Sequence, residues 1–313
     1  MEPGRSGTSG PVAALASVLT PDFLHRLDRL HLCIRRSLST RPGNTPMPRG
    51  AQGSGIEIES YKSYTAGDDL RHLDWNAYGR LDQLLIKTFR AEREAPLHIF
   101  LDVSGSMAFP PGDGKFAFGL ALATSLAYLS LRSHNLVRLV AVGQALPGLY
   151  RSSRFFRHRD ALPGLRDFLL ELRPQGQTAL AAGIRAALQV QRAPGVAIVL
   201  SDFLMPVPVY ESALEGLMAR RFTVAAVRII GPGERNPTRL FRRGQLIDAE
   251  TGRRRFISLT AEHLGCYQRG LAEHLGLLRA FCSRCATVFS VADTAAGLEQ
   301  SLFHDLPSAG LLR

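Results

Sequence analysis

A carboxylate and two hydroxyls stand within five residues in Asp102-Val103-Ser104-Gly105-Ser106. Asp102, Ser104 and Ser106 alternate, so an extended or gently curved backbone points all three side chains the same way. Gly176-Gln177-Thr178 sets a further hydroxyl in a loop before a helical pattern, and Ser201-Asp202 sets a second carboxylate behind an apolar run. Gathered together, Asp102, Ser104, Ser106, Thr178 and Asp202 form an oxygen-rich set suited to a hard divalent cation. Mg²⁺ asks for about six oxygens at roughly 2.1 Å. A D-x-S-x-S sequence alone also describes an Asp/Ser turn that caps a helix. Thr178 and Asp202 strengthen the set because one falls in a connecting loop before a helix and the other closes an expected strand.

The elements that must position these residues alternate between strand and helix. Residues 97–103, 136–142, 196–201, 222–230 and 287–291 read as short buried strands. Residues 115–133, 160–172, 179–191, 211–221, 261–285 and 294–306 read as helices. This alternation predicts an α/β fold, a doubly wound, mostly parallel Rossmann-like sheet covered on both faces. Ligands bind such a sheet beyond the carboxyl ends of its strands, where the predicted site lies. A hairpin, residues 244–247 and 253–259 around the turn Asp248-Ala-Glu-Thr-Gly252, forms a small β insertion around 238–260.

Upstream, residues 1–20 are rich in Gly, Ser, Pro and Ala and are expected to be disordered. Thr20-Pro21-Asp22 opens a helical pattern through Phe23, Leu24, Leu27, Leu30, Ile34 and Leu38, closed by a Pro/Gly loop over residues 42–55. The expected organisation is a segment 21–94, with this helix and a polar stretch packed on the core, and a main domain over 95–307.

With 313 residues, 45% hydrophobic and 21% charged, the chain can bury a sizeable core. Its longest uncharged apolar run, residues 116–131, is short for a bilayer span, and the N-terminus lacks the basic-then-apolar order of a secretory signal. A cytoplasmic location is the expectation. Four cysteines are too few for a disulfide scaffold. Cys282 and Cys285 have CxxC spacing, with Cys266, His263 and His274 upstream, but residues 282 and 285 also share a helix face as core cysteines would. The net charge of +11 includes clusters at residues 151–159 and 235–255. Nucleic acid or an anionic surface is one reading of these arginines. Solvated faces are the favoured one, since no zinc finger, RNP-like or helix-turn-helix pattern accompanies them.

The Asp102 turn with Thr178 and Asp202 resembles the metal-ion-dependent adhesion site of von Willebrand factor A domains. That resemblance implies Mg²⁺, with Mn²⁺ as an alternative, touched directly by Ser104 and Ser106. Thr178 would bind directly or through water, Asp102 and Asp202 mainly through water, and one position would remain for a partner's carboxylate. Ala179 departs from the aspartate that many relatives carry there. A second stretch runs Tyr64-Thr-Ala-Gly67-Asp68-Asp69-Leu70-Arg71-His-Leu-Asp74-Trp75 and continues to Arg80 and Phe89-Arg-Ala-Glu92. It resembles the signature of the domain-of-unknown-function 58 family, bacterial proteins with a von Willebrand A-like core. The resemblance implies a MoxR-type AAA+ ATPase as partner. Asp68, Asp69, Arg71, Asp74, Trp75 and Arg80 would form a docking surface or, as favoured here, an ion-paired structural clasp.

Enzymatic readings fare worse. A haloacid-dehalogenase-type phosphatase needs an aspartate where Ser104 stands, and no G-x-S-x-G elbow surrounds either serine. Gly112-Asp-Gly-Lys115 fails the phosphate-loop spacing, with Phe116 in place of the hydroxyl. The expected function is therefore non-enzymatic: a metal-dependent protein-binding module, an adaptor of a MoxR-type ATPase. The alternative is a basic nucleic-acid or anionic-surface binder.

Overall fold

A computed structural model describes residues 10–33, 58–65, 68, 70, 73–89, 96–190, 194–240 and 243–313. The chain divides into two compact units, one of residues 1–36 with 95–313 and the other of residues 37–94.

The larger unit begins with helices α1 (Pro11–Val18) and α2 (Pro21–Leu27). Both start with Pro at the first turn, where a missing N–H costs nothing. Two expectations are corrected here. Residues 11–18 are helical where disorder was expected, and the second helix stops at Leu27 well short of Leu38. Leu15, Val18 and Leu27 are all buried, which gives these short helices the tertiary support their length requires. Both helices also belong with the main sheet rather than with the polar segment up to residue 94.

The smaller unit contains strand β1 (Ile58–Ser63), helix α3 (Trp75–Leu81) and strand β2 (Leu85–Phe89). The strands pair antiparallel, with Ser63 opposite Leu85. Asp74 caps α3 by accepting the N–H groups of Asn76 and Ala77, and Leu73 and Ile86 are buried.

The larger unit then continues with β3 (Leu97–Asp102), α4 (Lys115–Arg132), β4 (Val137–Val142), β5 (Tyr150–Ser152), α5 (Leu162–Leu170) and α6 (Leu180–Val190). Next come β6 (Val196–Ser201), α7 (Val207–Ala219), β7 (Thr223–Ile230) and the single turn α8 (Pro232–Arg235). The chain ends with β8 (Arg243–Ile247), β9 (Arg254–Ser258), α9 (Ala261–Arg284) and β10 (Val288–Asp293), followed by a helical stretch over residues 297–308 that includes a π-helical turn at Ser301–Asp305.

The six-stranded sheet has the order β10-β7-β6-β3-β4-β5. All its pairings are parallel except that of β5, an edge strand that sequence reading did not identify. The doubly wound, mostly parallel α/β expectation is therefore met. Every residue of β3 and of β6 is buried, as a parallel strand covered on both faces requires. Leu97, Ile99 and Leu101 of β3 enter the core cluster that includes α4 and Leu15, while Phe100 enters the cluster that includes α6, α7 and α9. From β3 the chain steps to β4 on one side and later to β6 on the other. The carboxyl ends of β3 and β6 thus flank the point where the strand order reverses. Among the described residues no helix is long and apolar enough to cross a membrane.

Candidate functional site

Asp102 is the last residue of β3 and is fully buried. One carboxylate oxygen accepts the Ser104 N–H at 3.0 Å and the other accepts the Ser201 hydroxyl at 2.7 Å. Burial, and the nearby Asp202 carboxylate, push its pKa up to about 6 against these hydrogen bonds. The chain turns at Gly105, and the Ser104 and Ser106 hydroxyls lie 3.0 Å apart. Backbone bonds tie the loop carrying Thr178 to this turn: Gly105 donates to the Gly176 carbonyl at 2.8 Å, and Gln175 donates to the Val103 carbonyl at 2.9 Å. The Thr178 hydroxyl is buried and, among the described residues, has no hydrogen-bond partner.

Asp202 follows β6 and is 1% exposed. Its Oδ2 accepts the Lys115 ammonium at 2.8 Å, and Lys115 also donates to Glu234 at 2.9 Å. Arg228 donates to the other oxygen of Glu234 at 3.1 Å. All four groups are buried, so two cations and two anions neutralise each other beneath the sheet edge. Burial opposes the Lys115 charge, but Asp202 and Glu234 outweigh it and raise its pKa. Burial raises the pKa of Glu234, outweighing its cationic neighbours. The Arg228 Nε and Nη1 atoms are buried without partners.

A further acid enters from the hairpin. Glu250 lies in the β8–β9 turn, and its Oε2 accepts the Thr178 N–H at 3.3 Å. Its half-buried carboxylate is held above its usual pKa by burial, and Ser106 is near enough to oppose that shift. The structure thus brings Asp102, Ser104, Ser106, Thr178 and Asp202 to one rim, with Asp102 and Asp202 close enough to perturb one another. Sequence reading assigned no site role to Lys115, Ser201, Arg228, Glu234 or Glu250.

The donor set fits a hard cation. The buried Thr178 hydroxyl has lone pairs and no partner, an arrangement that ordinarily costs stability unless something fills it. Among the described residues, no group of three or more His, Cys, Asp or Glu side chains is placed to hold a metal.

The family model described as "Protein of unknown function DUF58" matches residues 60–275. The chain belongs to this family. The DUF58 chain is 27% identical over 231 residues to the uncharacterized proteins Rv1480 of Mycobacterium tuberculosis and Mb1516 of Mycobacterium bovis, covering 71% of this chain and 69% of each relative. Among solved structures, BatB from Bacteroides thetaiotaomicron is similar at 12% identity with a TM-score of 0.41, covering 67% of this chain and 94% of BatB. A von Willebrand factor type A protein from Catenulispora acidiphila is similar at 16% identity with a TM-score of 0.38, covering 70% of this chain and 42% of that protein.

Other predicted groups in the DUF58 chain take separate places. Asp68 accepts the Lys62 ammonium at 2.6 Å and the Thr65 N–H and hydroxyl at 3.0 and 2.8 Å. These bonds, led by that from Lys62, lower its pKa to about 2. Asp74 caps α3. Trp75 is 66% exposed and meets Tyr78 edge-on. Arg80 lies in the last turn of α3, while Asp69 and Arg71 fall outside the described residues.

Cys282 packs with Leu278 and Phe281 in the core, its thiol pushed up to about 12 by burial and by Cys285. The rings of His263 and His274 bond the carbonyls of Ser258 and Phe203. In the basic cluster, Arg151 pairs with Glu171, and Arg154 and Arg159 lie over the rings of Phe156 and Tyr128.

Proposed function

We propose that this protein is a metal-dependent protein-binding module that acts by gripping an acidic residue of its partner and catalyses no reaction. Its DUF58 membership and von Willebrand factor A-like fold suggest a protein-interaction module. The observation that carries the finer reading is the buried, unpartnered Thr178 hydroxyl, on the same rim as the paired hydroxyls of Ser104 and Ser106. In this reading Ser104, Ser106 and Thr178 hold Mg²⁺ or Mn²⁺, with Asp102 and Asp202 behind them. The bound ion supplies an electrophilic position for a carboxylate.

The chain's own residues favour such a device. Lys115 neutralises much of the Asp202 charge, and Asp102 is engaged by Ser201 and the Ser104 N–H. Both carboxylates are thereby held back as hydrogen-bonding supports, and neutral hydroxyls face the ion. An excess of 11 positive charges draws an acidic partner toward this surface. The proposed partner is a cytoplasmic MoxR-type AAA+ ATPase, on the family resemblance.

Isothermal titration with Mg²⁺ and Mn²⁺ tests the reading. One ion is expected to bind the wild-type protein and none the Asp102→Ala variant, with both melting cooperatively. Purified MoxR-type ATPase from the same cell is expected to be retained in Mg²⁺ and released by EDTA. Equal retention by wild type and Asp102→Ala in EDTA rejects the proposal.

A further inference from the structure

Among the described residues, the β8–β9 hairpin buries little. β8 alternates between exposed and half-buried residues, β9 is exposed except at Ile257, and Ile247 and Phe256 are 50% and 68% exposed. The turn itself is well formed. Asp248 accepts the N–H groups of Glu250 and Thr251 at 2.9 and 2.8 Å, and Gly252 has the positive φ of 69° that closes it. The turn is seated on the Asp102 loop: a Cβ on Gly105 would lie 2.5 Å from the Ala249 carbonyl oxygen. This close approach delivers the Glu250 carboxylate to the Thr178 N–H, beside the Ser106 hydroxyl.

We propose that Glu250 is the protein's own ligand for the cation, a carboxylate that fills the position otherwise open to a partner. The inference rests on the metal reading of Ser104, Ser106 and Thr178. It adds that an acidic partner residue binds by displacing the β8–β9 turn. A carboxylate already bonded to the backbone of Thr178 needs no new element to reach the ion. A hairpin with few buried side chains opens at low cost, so the contact serves as a releasable plug. The chain thereby protects an electrophilic ion from adventitious acids until a better ligand arrives.

Mn²⁺ alone is the probe, followed by titration and by water-proton relaxation on wild type, Glu250→Gln, Glu250→Ala and Asp102→Ala. Wild type is expected to bind Mn²⁺ at least about tenfold more tightly than either Glu250 variant, the scale on which metal-site groups act. Relaxation per bound ion is expected to rise in both variants, because water takes the vacated position. Hydrogen exchange at residues 248–252 is expected to slow on adding Mn²⁺ to wild type only. Equal affinity, or equal relaxation per bound ion, in wild type and both Glu250 variants overturns the role of Glu250 while leaving the metal reading intact. No Mn²⁺ binding by wild type overturns both.

Discussion

At the scale of single residues, the site depends on buried charges that pair with one another. Lys115 is 1% exposed between Asp202 and Glu234. Removing its ammonium leaves the buried Asp202 carboxylate without a cation and Glu234 with Arg228 alone, and breaking such a pair costs about 3–5 kcal/mol. Lys115→Met is therefore expected to lower the unfolding free energy by that amount in urea titrations, although the methionine keeps most of the volume. Retention of wild-type stability would show that solvent reaches these carboxylates. Gly105 makes a different demand, for space and not for charge. Gly105→Ala must lift the hairpin tip off the site because its methyl meets the Ala249 carbonyl. Faster hydrogen exchange at residues 248–252 with little change in global melting is the expected result.

At the scale of elements, β3 carries both the site and a pH liability. His98 is 1% exposed, stacks on Phe100 and meets the edges of Phe155 and Phe222. Burial, reinforced by Arg138, lowers its pKa from 6.5 to about 4. A histidine held neutral in the fold favours the native state above its unfolded pKa. That contribution is lost as the pH falls from about 6.5 toward 4, where the unfolded chain takes up the proton first. The full difference is about 3 kcal/mol, of which about 2 is lost by pH 5. Wild type is expected to lose that much more stability than His98→Phe between pH 7 and pH 5, measured by denaturant unfolding. Parallel curves for the two proteins would assign the acid sensitivity elsewhere.

At the scale of the whole molecule, the ends of the larger unit are tied together. His31 donates to the Arg313 carbonyl, Cys33 donates to the Leu311 carbonyl, and Leu32 bridges Leu312. Tyr128 on α4 donates to Asp28, and Arg26 makes two 2.6 Å bonds to Glu299. The exposed ion pair adds little, but Leu15, Val18, Leu27 and Leu30 are buried. Each is worth about 1.5–3 kcal/mol when fully covered. Deleting residues 1–33 is therefore expected to lower the melting temperature by more than ten degrees or to prevent soluble expression. Unchanged melting would mean that α1 and α2 are dispensable to the core.

What the sequence determined by itself follows from local rules. Continuous apolar runs in β3 and β6 announced buried parallel strands, and the alternation of strand and helix specified the sheet. The D-x-S-x-S turn placed oxygen donors at a strand's carboxyl end, because backbone geometry over five residues is enough to aim them. Tertiary structure decided the rest. Lys115 reaches Asp202 across 87 positions and Glu234 across 119, and Glu250 reaches Thr178 across 72. No periodicity encodes a pairing at those separations. The helix over residues 11–18 was hidden for the same reason: it lies in a Gly-, Ser- and Pro-rich stretch, and eight residues are too few to hold a helix until Leu15 finds α4 and the core to bury against. Local propensity chooses the elements, and only packing brings distant charges close enough for one to govern another.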